Sequence, residues 1–164
     1  MKKPLFAVFL FFFCCLCIFA QDDAPEPEYK KRAFTYGAQM NMNFSQSFAG
    51  GAVLGIDFFL PKRFSTGVNF AANAYLNGQS NVLEPSVMLR YYFIPLADQH
   101  SGFFVQLDLG ASLTANHDAI SLQLLGGVRS GYRFTFGNIF FIEPYIRAGY
   151  PFLAGAGFTF GYRY

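Results

Sequence analysis

From Ala33 to Tyr164 the chain alternates between apolar residues and small or polar ones, and this period of two constrains its fold more than any other feature. In the clearest stretch, from Phe34 to Phe44, every even position is apolar, while the odd positions carry Thr, Gly, Gln and Asn. Because successive side chains of a β-strand point to opposite faces, the pattern predicts strands that each have one apolar face. It recurs in eight segments, which are 34–44, 52–60, 63–76, 83–93, 103–114, 121–133, 140–148 and 154–164.

Eight antiparallel strands can close into an up-and-down barrel, which leaves no unpaired edge. A soluble, lipocalin-like barrel would alternate too, but a water-facing surface carries Lys, Arg, Glu or Asp at about a quarter to a third of its positions. Here only 13% of all residues are charged, 53% are hydrophobic, and no Lys follows Lys62. The sequence therefore predicts an all-β, eight-stranded antiparallel up-and-down transmembrane β-barrel, with its polar face towards the lumen and its apolar face in lipid.

The beginning of the chain has the composition of a secretory signal peptide. Lys2 and Lys3 precede the apolar stretch Leu5–Phe19, and Ala20 precedes a polar residue. A retained membrane anchor is the alternative, although the apolar stretch is short for a spanning helix. We expect three segments, namely a signal peptide at 1–20, a disordered lead at 21–32 and the outer-membrane barrel at 33–164.

The cysteines and the net charge narrow the function of the mature chain. Cys14, Cys15 and Cys17 all lie inside the predicted signal peptide, so we expect no disulfide and no cysteine metal site in the mature protein. Lipidation at Cys17 would need a small residue where Leu16 stands. Removing the two lysines of the signal takes the formal net charge from +2 to zero, which leaves no basic footprint for nucleic acid.

Most charged residues of the barrel fall on the predicted inward face, and Arg63 and Arg133 belong to this set. Carboxylates and guanidiniums confined to a narrow lumen should pair, because an unpaired buried charge costs several kcal/mol. We predict a charge network that plugs the lumen, formed by Asp57, Glu84, Arg90, Asp108, Arg129, Glu143, Arg147 and Arg163. The alternative is that some of these pairs lie in water near the barrel ends and contribute little.

Small polar residues complete the inward face, and aromatic residues gather at one end of the strands. The polar set either lines a solute path or fills the barrel with cross-strand hydrogen bonds. It consists of Asn69, Asn73, Ser86, Gln106, Ser121 and Gln123. If both termini lie in the periplasm, the aromatic set forms an interfacial girdle. That set includes Phe34, Tyr36, Phe58, Phe59, Phe64, 91–93, Phe103, Phe104, Tyr132, Phe134, Phe140, Phe141, Tyr162 and Tyr164.

Candidate catalytic groups are sparse. His100 and His117 both lie in turn sequences, where we expect them to be solvated. Ser112 and Thr114 stand near His117, but small polar residues occur on every strand, so no triad is predicted. Two histidines at opposite ends of the barrel do not make a metal cluster. The sequence predicts no enzyme, no cofactor and no metal.

With its strand count, its inward charges and its final strand GFTFGYRY, the stretch 33–164 resembles the small outer-membrane barrels of the OmpA transmembrane, OmpX and OmpW type. The alternating aromatic residues Phe158, Phe160, Tyr162 and Tyr164 resemble the outer-membrane assembly signal. The resemblance implies a monomer in the bacterial outer membrane after signal-peptide cleavage. Its implied partners are outer-membrane lipid, the assembly machinery and periplasmic chaperones.

The same resemblance implies either passive passage of small solutes or a structural role in the envelope. A surface adhesion or binding protein is the alternative, but adhesive relatives usually have long external loops. The external connections expected here are short, at about 45–50, 77–81, 115–118 and 151–153. A lipid-modifying enzyme is the third hypothesis, and the sequence shows no convincing set of acid, base and nucleophile for it.

Overall fold

The structure is a computed structural model in which eight β-strands carry the fold. It describes residues 32–43, 47–60, 63–78, 80–93, 100–116, 119–137 and 139–164. The strands are β1 (Arg32–Asn43), β2 (Phe48–Phe59), β3 (Phe64–Tyr75), β4 (Ser80–Tyr92), β5 (Gly102–Asn116), β6 (Ile120–Phe136), β7 (Phe140–Tyr150) and β8 (Phe152–Arg163). The predicted signal peptide and lead lie outside the described residues, except that Arg32 begins β1.

Each strand pairs antiparallel with the next, and β8 pairs back to β1 from Ala33↔Arg163 to Asn43↔Phe152. The sheet is therefore a closed barrel, and the predicted eight-stranded antiparallel fold is confirmed. Within the ranges given above, no helix is both long and apolar enough to cross a membrane.

The two faces of each strand differ as the alternation predicts. In β1 the even positions Phe34, Tyr36 and Met40 are exposed on the outside, whereas the odd positions Thr35 and Gln39 are buried inside. The outside of the barrel is apolar at mid-strand positions of the other strands too. These exposed residues include Leu54, Val68, Phe70, Val87, Leu109, Val128, Ile146 and Phe158.

The barrel has two ends, which the turns distinguish. We call the end that holds the start of β1 and the last residues of β8 the terminal end, and the other end the opposite end. The β5–β6 hairpin is the longest, with strands of 15 and 17 residues, and it projects at the opposite end. All four of the expected external connections are too long, because residues at their ends belong to strands, namely 48–50, Ser80 and Asn81, Ala115 and Asn116, and Phe152 and Leu153.

The predicted aromatic girdle is only partly on the outside. Phe34, Phe58, Phe103, Phe140 and Tyr162 are exposed to the surroundings of the barrel. The girdle assignment is wrong for four other aromatic residues, whose side chains point into the lumen. Phe59 is half-buried there, and three are fully buried, namely Tyr92, Phe104 and Phe141. Each shares the parity of an inward charged or polar residue two positions away, which fixes its face.

Candidate functional site: the charged lumen

Four charged side chains from four strands meet in the half of the lumen nearer the terminal end. Arg90 Nη1 lies 2.7 Å from Glu143 Oε1 and 3.3 Å from Asp57 Oδ2. Arg133 Nη2 donates to the same Asp57 oxygen at 2.7 Å, and Arg133 Nε donates to Glu143 Oε1. Each cation therefore bridges both anions. We call these four residues the central cluster.

Neutral side chains satisfy further atoms of the central cluster. Gln106 Oε1 accepts from Arg90 Nη2 at 2.6 Å and from Arg90 Nε at 2.8 Å. Tyr92 Oη accepts from Arg90 Nη1 at 3.1 Å, and Thr159 Oγ1 donates to Glu143 Oε2 at 3.1 Å. Buried polar atoms cost free energy unless they are hydrogen-bonded, so these neutral partners help the cluster to persist away from water.

Aromatic rings lie against the two guanidiniums of the central cluster. The Arg90 guanidinium carbon is 4.3 Å from the ring centre of Phe104, and that of Arg133 is 3.9 Å from the ring centre of Phe141. A desolvated cation over an aromatic face gains on the order of 2 kcal/mol, which offsets part of the cost of burying the charge. Two of the inward aromatic rings that the sequence analysis assigned to the outer girdle therefore stabilise the buried arginine charges.

A second ion pair lies nearer the opposite end. Arg147 Nη1 and Nη2 donate to the two Glu84 carboxylate oxygens at 3.0 Å and 3.2 Å, in the fork geometry that suits a carboxylate. Asn73 Nδ2 donates to Glu84 Oε2 at 2.8 Å. Asn73 Oδ1 in turn accepts from Gln39 Nε2 and Asn41 Nδ2, both at 2.9 Å. The ion pair and the amides hydrogen-bonded around it therefore connect β1, β3, β4 and β7.

A third pair joins the other two. Arg129 Nε lies 2.8 Å from Asp108 Oδ2, but its N–H is not directed at that oxygen, so the contact is electrostatic and not a hydrogen bond. Asp108 Oδ1 accepts from Gln106 Nε2 at 2.6 Å and from Asn69 Nδ2 at 3.2 Å. Because Gln106 also accepts from Arg90, the network continues into the central cluster.

Tyr145 connects the third pair to the second. The Arg129 guanidinium carbon lies 5.1 Å from the Tyr145 ring centre, and Tyr145 Oη donates to Gln39 Oε1 at 3.0 Å. Gln39 already donates to Asn73 beside Glu84. Polar contacts and ring contacts thus run from one end of the lumen to the other.

Space for these large side chains comes from glycines on the inward face of β8. Large inward residues of β7 stand opposite them, as Arg147 with Gly155, Tyr145 with Gly157 and Phe141 with Gly161. A Cβ at Gly157 would lie 2.6 Å from Tyr145 Oη, and one at Gly161 would overlap the Phe141 ring. The glycines of the last strand therefore make room for ring and guanidinium groups in a narrow barrel.

At the terminal end, His100 closes the lumen, so the expectation of a solvated turn residue is wrong. Its side chain is buried, with Nε2 2.9 Å from Leu60 O and 3.1 Å from Phe64 O. Its ring centre lies 4.7 Å from that of Phe59, and its carbonyl oxygen accepts from Arg163 Nη2 at 2.9 Å. His100 therefore ties the start of β5 to the β2–β3 turn and to β8.

At the opposite end, Phe152 closes the lumen. Its side chain has no exposed area and packs with Ala49, Val82 and the ring of Tyr75. The Arg147 guanidinium carbon lies 5.8 Å from the Phe152 ring centre, so this apolar cluster covers the second ion pair directly.

The structure places all eight residues of the predicted network inside the barrel. Seven of them form ion pairs with one another or with Arg133, and Arg163 donates to the His100 backbone. Arg133, which has the same inward parity, completes the central cluster. The inward assignment of Arg63 is wrong, because this residue precedes β3, is exposed and donates to Phe93 O.

The predicted polar lining of the lumen is only partly correct. Asn69, Asn73, Ser86 and Gln106 are buried in the lumen, but the assignment of Ser121 and Gln123 as lining is wrong because both are exposed on the projecting hairpin. The four aromatic residues of the predicted assembly signal are exposed, three on the outside of β8 and one directly after it, and their role stays a prediction. They are Phe158, Phe160, Tyr162 and Tyr164.

No catalytic arrangement emerges from the side chains in the ranges the structure describes. Ser112 is buried near the opposite end, whereas His100 lies at the terminal end. His117 and Asp118 lie outside the described residues. Among those that are described, no three His, Cys, Asp or Glu residues are grouped to hold a metal ion. The expectation that the protein has no enzymatic activity and no cofactor stays a prediction.

The closed eight-stranded barrel places the chain among proteins with the fold of small outer-membrane β-barrels. No protein-family model and no curated protein matches the sequence. The N-terminal β-barrel domain of Pseudomonas aeruginosa OprF is similar, with 15% identity and a TM-score of 0.53 over 82% of this chain and 100% of that one. Neisserial surface protein A (NspA) is similar, with 8% identity and a TM-score of 0.57 over 81% of this chain and 95% of that one. At such identities the likeness concerns the fold.

Proposed function

We propose that this chain is a small integral protein of the bacterial outer membrane, closed by its own side chains, which serves the envelope structurally and does not pass solutes. The outer wall supports the membrane location. At mid-strand positions Val87 and Ile146 are 58% and 65% exposed, and the neighbouring outward residues are apolar as well. A contiguous apolar wall suits lipid, in which a closed barrel satisfies every backbone group. The fold of the OprF barrel domain and of NspA agrees with that setting.

The observation that supports the closed lumen is the burial of its charged side chains between two covered ends. The Phe152 cluster covers one end, and Phe59 and His100 cover the other. Three linked ion-pair sites lie between them. A hydrated ion could cross the lumen only if these ion pairs separated, and breaking a buried ion pair costs about 3–5 kcal/mol.

The test is the conductance of the mature protein, refolded in detergent and added to planar lipid bilayers. Heat-shifted gel mobility of the same sample proves that the barrel has folded. We expect folded protein without discrete current steps. Reproducible steps from folded, unsubstituted protein would refute the closed lumen and favour solute passage.

A variant that lacks all three ion-pair sites shows that the assay can detect an open lumen. The substitutions replace four anions and four cations, so the paired charges are removed together; they are Asp57→Ser, Glu84→Ser, Arg90→Ser, Asp108→Ser, Arg129→Ser, Arg133→Ser, Glu143→Ser and Arg147→Ser. We expect this variant to conduct if heat-shifted gel mobility shows that it folds. Val87→Ala on the outer wall is the control, and it should stay as silent as the parent protein.

A further inference from the structure

The first part of β6 extends beyond the reach of β7. On one side, β6 pairs with β5 from Ala115↔Ile120 to Gly110↔Leu125. On the other side, the ladder with β7 begins only at Gly126↔Tyr150, after which the chain turns back into β8. Among the described strands, none pairs with the second edge of Ile120–Leu125. We call this segment the free edge of β6.

The free edge carries none of the usual protection against strand pairing. Its sequence ISLQLL has no charge, no proline and no glycine. Natural proteins commonly shield an exposed edge with lysine, proline or a bulge. Ile120, Leu122 and Leu124 are 78%, 69% and 86% exposed, so even the side chains beside this edge are uncovered.

Backbone groups require that the free edge lie outside the hydrocarbon layer. An unpaired N–H or C=O costs several kcal/mol in lipid, where open sheet edges do not occur. Six residues extend about 20 Å along a strand. The projecting hairpin therefore presents a strand edge of this length beyond the membrane core, at the end opposite to the termini.

One side chain already reaches this edge. Tyr150 is the last residue of β7, and its Oη donates to Gln123 Oε1 at 2.8 Å. The phenol therefore lies along the free edge where a continued β7 would have supplied backbone groups. Because both residues are exposed, an incoming strand could displace this contact at small cost.

We propose that the free edge of β6 is a strand-addition site, which binds an extended, uncharged segment of another protein with apolar residues at alternate positions. The added strand would continue the β6–β7 ladder beyond Gly126, in the position that β7 vacates. Its backbone would supply the missing hydrogen bonds, as in other β-augmentation complexes. Its apolar residues would stand beside Ile120, Leu122 and Leu124, because paired residues of neighbouring strands share a face.

Symmetry argues against a second copy of this chain in the same membrane as the occupant. Antiparallel pairing of two identical edges needs a two-fold axis perpendicular to the sheet, and the barrel wall stands across the membrane. That axis would lie in the membrane plane and invert one copy. Parallel pairing needs an axis along the strand, which is tilted by about 40° from the barrel axis. Two copies that have the same orientation in one membrane can be related only by an axis along the membrane normal. Neither pairing axis has this direction, so the site fits a different protein.

The test uses the full barrel refolded in lipid nanodiscs and a fluorescent seven-residue peptide of alternating valine and threonine with blocked ends. Fluorescence anisotropy measures binding, and hydrogen exchange followed by mass spectrometry locates it. We expect a Kd below about 1 mM and slower exchange confined to 120–125. The same peptide with alternate N-methylated amides should not bind, because it lacks the donors that face the edge.

Two lysine substitutions form a matched pair, since Leu122 and Leu76 are both 69% exposed at the same end of the barrel. Leu122→Lys should weaken binding about tenfold or more, whereas Leu76→Lys should change it less than about twofold. Tyr150→Ala should strengthen it, because the edge is then uncovered. No binding below about 1 mM, or equal binding by the two lysine variants, would overturn the proposal. Cross-linked pairs of barrels without peptide would instead identify a second copy as the occupant, which also overturns it.

Discussion

Replacing Arg133 with methionine tests whether charge balance holds the central cluster together. Arg133 is 1% exposed, and it donates to Asp57 at 2.7 Å and to Glu143. In the Arg133→Met variant, the Arg90 guanidinium remains to face both carboxylates of the cluster. Removing one partner of a buried ion pair typically costs about 3–5 kcal/mol, because it leaves a buried charge uncompensated. We expect the free energy of unfolding to fall by that amount.

Urea unfolding in lipid vesicles measures this free energy. The chain has no tryptophan, so far-UV circular dichroism and heat-shifted gel mobility report folding in place of indole fluorescence. Arg63→Met is the matched control, because the same change at an exposed arginine outside the lumen should alter stability by less than about 0.5 kcal/mol.

Adding Asp57→Asn to Arg133→Met restores the balance of charge, with Arg90 facing Glu143 at 2.7 Å. The double variant should therefore lose less stability than the sum of the single losses, by about 1–3 kcal/mol. Strictly additive losses, or a loss no larger than that of Arg63→Met, would refute the role of charge balance.

Other changes probe the remaining parts of the barrel. Arg147→Met should destabilise the protein by about 3 kcal/mol in the same titration, and Glu84→Gln added to it should recover part of the loss. Phe152→Ala should cost about 3–5 kcal/mol through loss of buried apolar contacts, yet planar bilayers should stay silent because the ion pairs remain. Tyr164→Ala should leave stability within about 0.5 kcal/mol but slow insertion by purified assembly machinery in proteoliposomes, and equal insertion rates would contradict the assembly signal.

The period of two was sufficient to predict the strands and most of their inward residues. Alternation is a local property, since successive Cβ atoms of an extended chain point to opposite faces. Tyr92 lies two positions after Arg90 and therefore on the same inward face, so its burial in the lumen could have been predicted from the sequence. Arg63 was misassigned because it lies just before β3, where the alternation does not apply.

Burial of the turns could not be predicted from local pattern. His100 stands in a polar turn sequence, yet two separate parts of the chain contact it, the β2–β3 turn at Leu60 and Phe64, and β8 at Arg163. Ser121 occupies a position that the alternation assigns to the inward face. It is nevertheless exposed, because this part of β6 extends beyond the end of β7. In both cases the outcome depends on where distant strands end.

The sequence by itself determined the number of strands, their alternating faces and the inward position of most charged residues, because these follow from the geometry of an extended chain. Only the tertiary structure decided which charges meet. Arg133 and Asp57 are 76 positions apart, and their contact depends on the register around the whole barrel. The same register offsets β6 from β7 and leaves Ile120–Leu125 with one open edge, since the length of a strand is local but its pairing is set by neighbours from elsewhere in the chain.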